Sequence, residues 1–126
     1  MSKVQRFEDL ICWQEARALV KLVYTYSNKG AFTRDFDMKS QIRRASISIM
    51  SNITEGFGRG SQKDFKRFLE YSFTSANEVK SICYAAVDVN YWSEGEAKEI
   101  QDKSEHVKAL TLGLIRHLNR NLSPHS

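Results

Sequence analysis

Apolar residues recur at spacings of three and four along most of the chain, the stripe that an amphipathic helix turns towards a partner. Between about Asp9 and Asn28 one stripe runs through Trp13, Ala16, Val20, Val23 and Ser27. A second, through Cys12, Glu15, Leu19, Leu22 and Tyr26, lies about 100° around the same helix, so the apolar arc is wider than a bundle core needs. The next segment, about Asp37 to Glu55, is also two-faced: Met38, Ile42, Ala45, Ile49 and Ile53 on one side, Arg43, Ile47, Met50 and Thr54 on another. From about Ser61 to Asn90 the pattern is cleanest, with Phe65, Leu69, Ser72, Ala76, Val79, Cys83, Ala86 and Asn90 in an unbroken four-three alternation. This predicts the longest helix, roughly 40 to 45 Å at 1.5 Å per residue. Ser61 with Asp64 resembles a capping box at its start. Ser93 with Glu96 is a second, opening a helix whose seam reads Ala97, Ile100, Ser104, Val107, Thr111, Leu114 and Leu118. The predicted helices are about 9–28, 37–55, 61–90 and 94–119, with a frayed tail after Asn119.

Five of the six glycines fall where this periodicity breaks: Gly30, the group Gly56, Gly58 and Gly60, and Gly95. Gly113 alone lies inside a stripe, where it marks either a propensity cost or a close helix contact. The only proline, Pro124, stands near the C-terminus and interrupts nothing. Four helices joined by short links make an all-α, antiparallel up-down-up-down bundle, a single domain over 1–126. Most of the stripes are bundle core. The surplus apolar area on the first two helices, with Phe73 and Tyr84 off the seam of the third, points to a homo-oligomer whose interface holds Leu19, Leu22, Tyr26, Ile47 and Met50.

Composition places the chain among ordinary globular domains: 41% hydrophobic and 27% charged residues in 126. The longest uncharged run, Ala45 to Thr54, is half the ~20 residues of a membrane span, so no membrane association is expected. Glu8 and Asp9 follow the basic N-terminus in place of an apolar signal core, and a cytoplasmic location is the expectation. Cys12 and Cys83 lie on apolar helix faces without a C-x-x-C partner and read as buried thiols.

The residues make no positive case for catalysis. Di-iron bundles use Glu-x-x-His pairs, but Lys103 and Leu114 stand three before His106 and His117. No nucleophile elbow is present, and Glu55, Glu70 and Glu78 read as caps and ion-pair partners of Arg43, Arg44 or Arg67. The expectation is a non-enzymatic protein without metal or cofactor.

The run from Glu55 to Ser61 has the glycines of a phosphate loop, yet it follows a helix and lacks the Gly-Lys-Ser/Thr ending. One reading is a chain reversal. Another is an anion site at the start of the third helix, with Arg59, Ser61 and Lys63 around a phosphate. Charge favours an anion partner: Lys39 to Arg67 holds seven cations against two anions, net +5, while the whole chain is +4. The opposite sign gathers in Glu94, Glu96, Glu99, Asp102 and Glu105. A localised basic segment is either a solvated cationic face or suits a polyanion, with Arg44, Arg59, Lys63, Lys66 and Arg67 as phosphate contacts; an oligomer multiplies the field and favours the polyanion.

The stretch from Gln41 to Arg59, QIRRASISIMSNITEGFGR, resembles the signature of the 23S rRNA intervening-sequence proteins. Phe7 to Trp13, Ser61 to Leu69, and Ser75 with Glu78 extend the likeness to about Leu118. Met50 departs from a common proline and Thr54 from a usual alanine. The resemblance implies a four-helix bundle assembled into a ring, with homopentamers recurring. It also implies similarity to the accessory variability proteins of diversity-generating retroelements, which bind nucleic acid and a reverse transcriptase. Arg43 and Arg44 match the family's paired arginines, and Asn52, Glu55 and Gly56 its Asn-x-x-Glu-Gly turn. Gln41, Arg43, Asn52, Glu55 and Gly56 are then structural, with Glu55 pairing one of the two arginines, and Arg44 faces phosphate.

Two functions follow. One is an oligomeric helical adaptor that binds nucleic acid, RNA above DNA, through the basic patch. The other is a protein-interaction scaffold for a partner such as a reverse transcriptase, favoured by Tyr71, Phe73, Tyr84, Tyr91 and Trp92, without direct nucleic-acid binding.

Overall fold

The computed structural model describes residues 4–121. Its four helices are α1 (Ile11–Ser27), α2 (Phe36–Gly58), α3 (Gln62–Asp88) and α4 (Glu94–Asn121), with 3-10 turns at Phe7–Asp9 and Gly30–Arg34 and no strand among the described residues. The expected fray after Asn119 falls partly beyond them; α4 itself continues to Asn121.

Both serines cap their helices, but only the second closes as a full box. The Asp64 N–H donates to Ser61 Oγ at 3.2 Å. At the start of α4 the exchange is reciprocal, Glu96 N–H to Ser93 Oγ at 3.1 Å and Ser93 N–H to the Glu96 carboxylate at 2.9 Å. An unforeseen cap opens α2, where Asp35 accepts from the Met38 N–H at 3.0 Å.

Contacts pair rising positions of α2 with falling positions of α3: Gln41 with Glu78, Ser48 with Ser75, Ile49 with Ser72, Phe57 with Phe65. Lys80 reaches Glu105 on α4 while Phe73 meets Lys108, and Glu15 of α1 meets Lys103 while Tyr26 meets Glu99. Four helices so paired enclose one core, in which Ile42, Ile49, Ile53, Leu69, Val79, Ile100 and Val107 are fully buried. Each such side chain contributes about 1.5–3 kcal/mol by leaving water. Ser72 spends no polarity there, because its hydroxyl donates to the Ile49 carbonyl at 2.9 Å. One end of the bundle is closed by Phe32, which packs on Tyr91 and Trp92 at 5.2 and 4.8 Å between ring centres. Trp92 Nε1 donates to the Tyr26 carbonyl, and Tyr91 donates to Asp35.

Several expectations need correction. The buried positions of α1 are Cys12, Ala16, Leu19, Val23 and Ser27, so the core draws on both stripes and Trp13 and Val20 are half-buried. Leu19 is 0% exposed and belongs to the protomer's own core, not to an oligomer interface. In α4 the core position is Ile115, with Leu114 half-buried beside it. A strict four-three alternation lags the 3.6-residue turn, and the step of four from Thr111 to Ile115 restores the phase. The longest helix is α4, at 28 residues against 27 for α3.

The glycines mislead most. α2 continues through Gly56 to Gly58, and Gly95 lies within α4. Only Gly30 and Gly60 have left-handed φ, 54° and 74°. The α3–α4 turn is instead made by Asn90, at φ 65°. Around it the Tyr91 N–H bonds the Ala86 carbonyl at 2.8 Å and the Asn90 N–H that of Val87 at 2.9 Å, the Schellman pattern with asparagine in place of glycine. Gly113 has nothing within 4 Å of where a Cβ would stand, so within the protomer it marks no close contact.

Candidate nucleic-acid interface

The turn from α2 to α3 gathers cations from both helices. Arg59 follows the last residue of α2, and Lys63, Lys66 and Arg67 occupy the first two turns of α3. Arg59 and Arg67 converge on one ring: their guanidinium carbons stand 4.9 and 5.2 Å from the centre of Phe68. Each is also held by a carboxylate, Arg59 by Glu55 at 3.1 Å and Arg67 by Asp64 at 3.3 Å. With about half of each side chain exposed, such pairs are worth at most about 1 kcal/mol, and an incoming anion can replace them. Lys63 and Lys66 have no acidic partner among the described residues, so they present uncompensated charge.

Two expectations for this region change. Glu55 pairs with Arg59, four residues on in the same helix, and with neither Arg43 nor Arg44. The phosphate nest of Arg59, Ser61 and Lys63 is not assembled. Ser61 Oγ is engaged by the Asp64 N–H, and the Asp64 carboxylate itself occupies the first turn, where the helix dipole favours negative charge. Arg44 stands apart: it is exposed on α2, fifteen residues before Arg59 and so roughly 22 Å along the helix axis.

Phe68 was not a candidate from sequence, and it organises the site. The helix α2 approaches α3 so closely at Gly56 that a Cβ there would lie 2.7 Å from Phe68 Cβ. The core-facing neighbours Phe65 and Leu69 leave Phe68 on the flank of α3, half-buried, with Tyr71 edge-on to it at 5.5 Å. The legible signal was only its place off the four-three seam, directly after Arg67.

The remaining family-type positions have identifiable contacts. Arg43 Nε donates to Ser27 Oγ at 2.9 Å and its guanidinium lies 4.3 Å from the Tyr24 ring centre, tying α2 to α1. Gln41 donates across to Glu78 at 3.3 Å. Asn52 donates within α2, to the carbonyl and hydroxyl of Ser48, and Ser48 Oγ in turn accepts from Ser75 of α3. Of the proposed interface residues, Ile47 is 41% exposed and shares a shallow depression of about 390 Å³ with Phe7, Trp13, Met50 and Thr54. Leu22 is half-buried, and Tyr26 is engaged within the chain by Glu99, Trp92 and Lys29.

Elsewhere the ionisable groups are structural. Lys103 and His106 both approach Glu15, at 2.9 and 3.2 Å, and the Lys103 hydrogen bond holds the Glu15 carboxyl below its ordinary range. Burial pushes the thiols of Cys12 and Cys83 up to about 11 and about 12, which leaves both unreactive at neutral pH. No group of three or more His, Cys, Asp or Glu among the described residues is placed to hold a metal ion, and none of the described helices is long and apolar enough to cross a membrane.

A family model described as 23S rRNA-intervening sequence protein matches residues 8–113. The chain belongs to this family. The match spans the whole Gln41–Arg59 stretch and the first turns of α3, including all five basic candidates. A protein of unknown function from the S23 ribosomal protein family of Bacteroides thetaiotaomicron, with a crystal structure at 1.70 Å, has the same fold. Its TM-score is 0.76 at 23% identity, over 84% of this chain and 96% of that one. No curated protein matches the chain. Family membership thus supports the four-helix bundle, while what the bundle does rests on its surface.

Proposed function

We propose that this intervening-sequence family protein is a non-enzymatic helical adaptor, an antiparallel bundle that assembles into a ring, most simply a homopentamer, and binds RNA through the α2–α3 turn. The observation that carries the reading is the convergence of Arg59 and Arg67 on Phe68, with Lys63 one turn before Arg67 and Lys66 on the other flank of α3, both without an acidic partner among the described residues, within a segment of net charge +5. Contacts of this kind position a phosphate backbone without reading bases, so recognition is weakly sequence-specific. Arg44 lies too far along α2 to join the same few phosphates and serves as an outlying contact, or as one that a neighbouring subunit brings close.

The test is fluorescence anisotropy of labelled rRNA and duplex DNA across a salt series, after light scattering has fixed the mass. Binding that weakens with salt, with a slope reporting the phosphates engaged, supports the reading. The triple variant Arg59→Glu, Lys63→Glu, Arg67→Glu should lose RNA while keeping its helical circular dichroism. Equal retention by that variant overturns it.

A second reading, a scaffold for a protein partner such as a reverse transcriptase, is favoured by Phe36 and Tyr84, which are 73% and 59% exposed away from the basic turn. Pull-down from nuclease-treated lysate separates the two, since a partner retained without RNA supports the scaffold.

A further inference from the structure

A guanidinium placed over a ring is a different instrument from a lysine on a flexible stem. It is weakly hydrated and planar, and it offers a π-compatible face in addition to its charge. Arg59 and Arg67 both stand over Phe68, and each also pairs with a carboxylate, Glu55 and Asp64. Phe68 is fixed in turn by the close approach of α2 at Gly56. Beside this group Tyr71 is 48% exposed and meets the Phe68 ring edge-on. Lys63, Arg67 and Tyr71 follow one another at intervals of four, so they share one face of α3 at steps of about 6 Å. Cation, ring-borne guanidinium and open phenol thus lie in a row along one surface.

A duplex would use only part of that row, because its bases are stacked inside and only its phosphates meet the protein. Unpaired nucleotides present a phosphate and a free base face together, and proteins receive such bases on aromatic rings and on guanidinium planes. From this juxtaposition we infer that the α2–α3 turn takes unpaired nucleotides of single-stranded RNA, the base stacking on Tyr71 and on the Arg59–Phe68–Arg67 group, the phosphate meeting Lys63. The inference rests on the RNA-binding reading above and narrows its ligand. Every base has a π-face, so stacking of this kind discriminates little among bases. The exposed Glu70, seven residues after Lys63 and three after Arg67, lies on the Lys63 flank of that row, roughly 10 Å further along the axis than Lys63, and repels a phosphate laid beside Tyr71 on that flank.

The experiment compares a labelled oligoadenylate, an abasic strand of the same length and an RNA hairpin stem with the same number of phosphates, by anisotropy against the intact oligomer. Wild type should hold the oligoadenylate about tenfold more tightly than either competitor. Tyr71→Ala should lose about tenfold on the oligoadenylate and nothing on the stem, with its salt slope unchanged, and Tyr71→Trp should restore the affinity. Tyr71 is exposed and off the core, so these variants keep the fold, which circular dichroism verifies. Equal binding of all three RNAs, or indifference to Tyr71→Ala, overturns the inference and leaves RNA binding through charge intact. Failure of wild type to bind any RNA at low salt overturns the RNA reading itself, and the stacking inference with it.

Discussion

Gly56 lies directly against Phe68, with room for a hydrogen and no more: a Cβ at Gly56 would stand 2.7 Å from Phe68 Cβ and 3.2 Å from the Phe65 carbonyl oxygen. Those neighbours are backbone or backbone-near atoms and cannot swing aside. Gly56→Ala improves helix propensity by up to about 1 kcal/mol, yet overpacking costs about 1–3 kcal/mol, so the variant should be destabilised in urea denaturation. Gly113→Ala is the matched contrast. It lies in α4 with open space around it, and it should be stabilised by up to about 1 kcal/mol.

Asn90 carries the α3–α4 reversal at φ 65°, a conformation that costs a residue with a Cβ roughly 1–2 kcal/mol unless its side chain tolerates it. Asparagine is one of the few that do. Asn90→Ala should therefore lower stability by about 1 kcal/mol in the same assay, and Asn90→Gly should be at least as stable as wild type. An Asn90→Ala protein with unchanged stability would mean that the turn readily adopts another geometry.

Much of the architecture was legible because helix periodicity and capping are local. The α3 seam from Leu69 to Ala86 and both serine N-caps needed no tertiary information. The reading failed where a residue type has two uses. Gly56 looked like a loop residue and is a helical glycine selected by the approach of Phe68, a contact across the bundle that no local pattern records. Leu19 looked like surplus because two stripes seemed too many for one core; α1, flanked by α2 and α4, buries parts of both. The basic segment was visible as a sum of charges, but a sum has no geometry. It placed Arg44 beside Arg59 and could not show Phe68 between two arginines.

Acid should loosen the bundle through three carboxylates. Glu15 is held below its ordinary value by the Lys103 hydrogen bond, Glu105 by that of Lys80, and Asp35 by the Met38 N–H at the α2 cap. A carboxylate with a folded pKa below its unfolded one binds fewer protons in the native state, so stability rises with pH across the window between the two values. The contribution is complete above the unfolded values, 4.5 for glutamate and 3.8 for aspartate, and vanishes as pH falls through the depressed ones. The urea midpoint should be nearly level from about pH 7 to about pH 5 and decline below about pH 4. Glu15→Gln should shrink that decline; an unaltered acid limb would show that the Lys103 contact is not maintained in solution.

Ile47 provides the sharpest test of assembly. It is 41% exposed on α2, turned away from the core that Ile42, Ile49 and Ile53 fill, and it adjoins Trp13, Met50 and Phe7 around an open apolar depression. A β-branched apolar side chain so placed gains only part of its burial inside the protomer, whereas in a packed interface it would lose water on every side. Ile47→Asp should therefore keep the helical circular dichroism and the thermal unfolding of the protomer while light scattering shows the mass fall to that of one chain. Leu19→Asp, which buries a charge in the core, should unfold the chain instead. If the Ile47→Asp mass equals that of an oligomeric wild type, the contact between subunits lies on another face. A wild type that is itself monomeric removes the ring, and RNA binding would then depend on the few cations of a single turn.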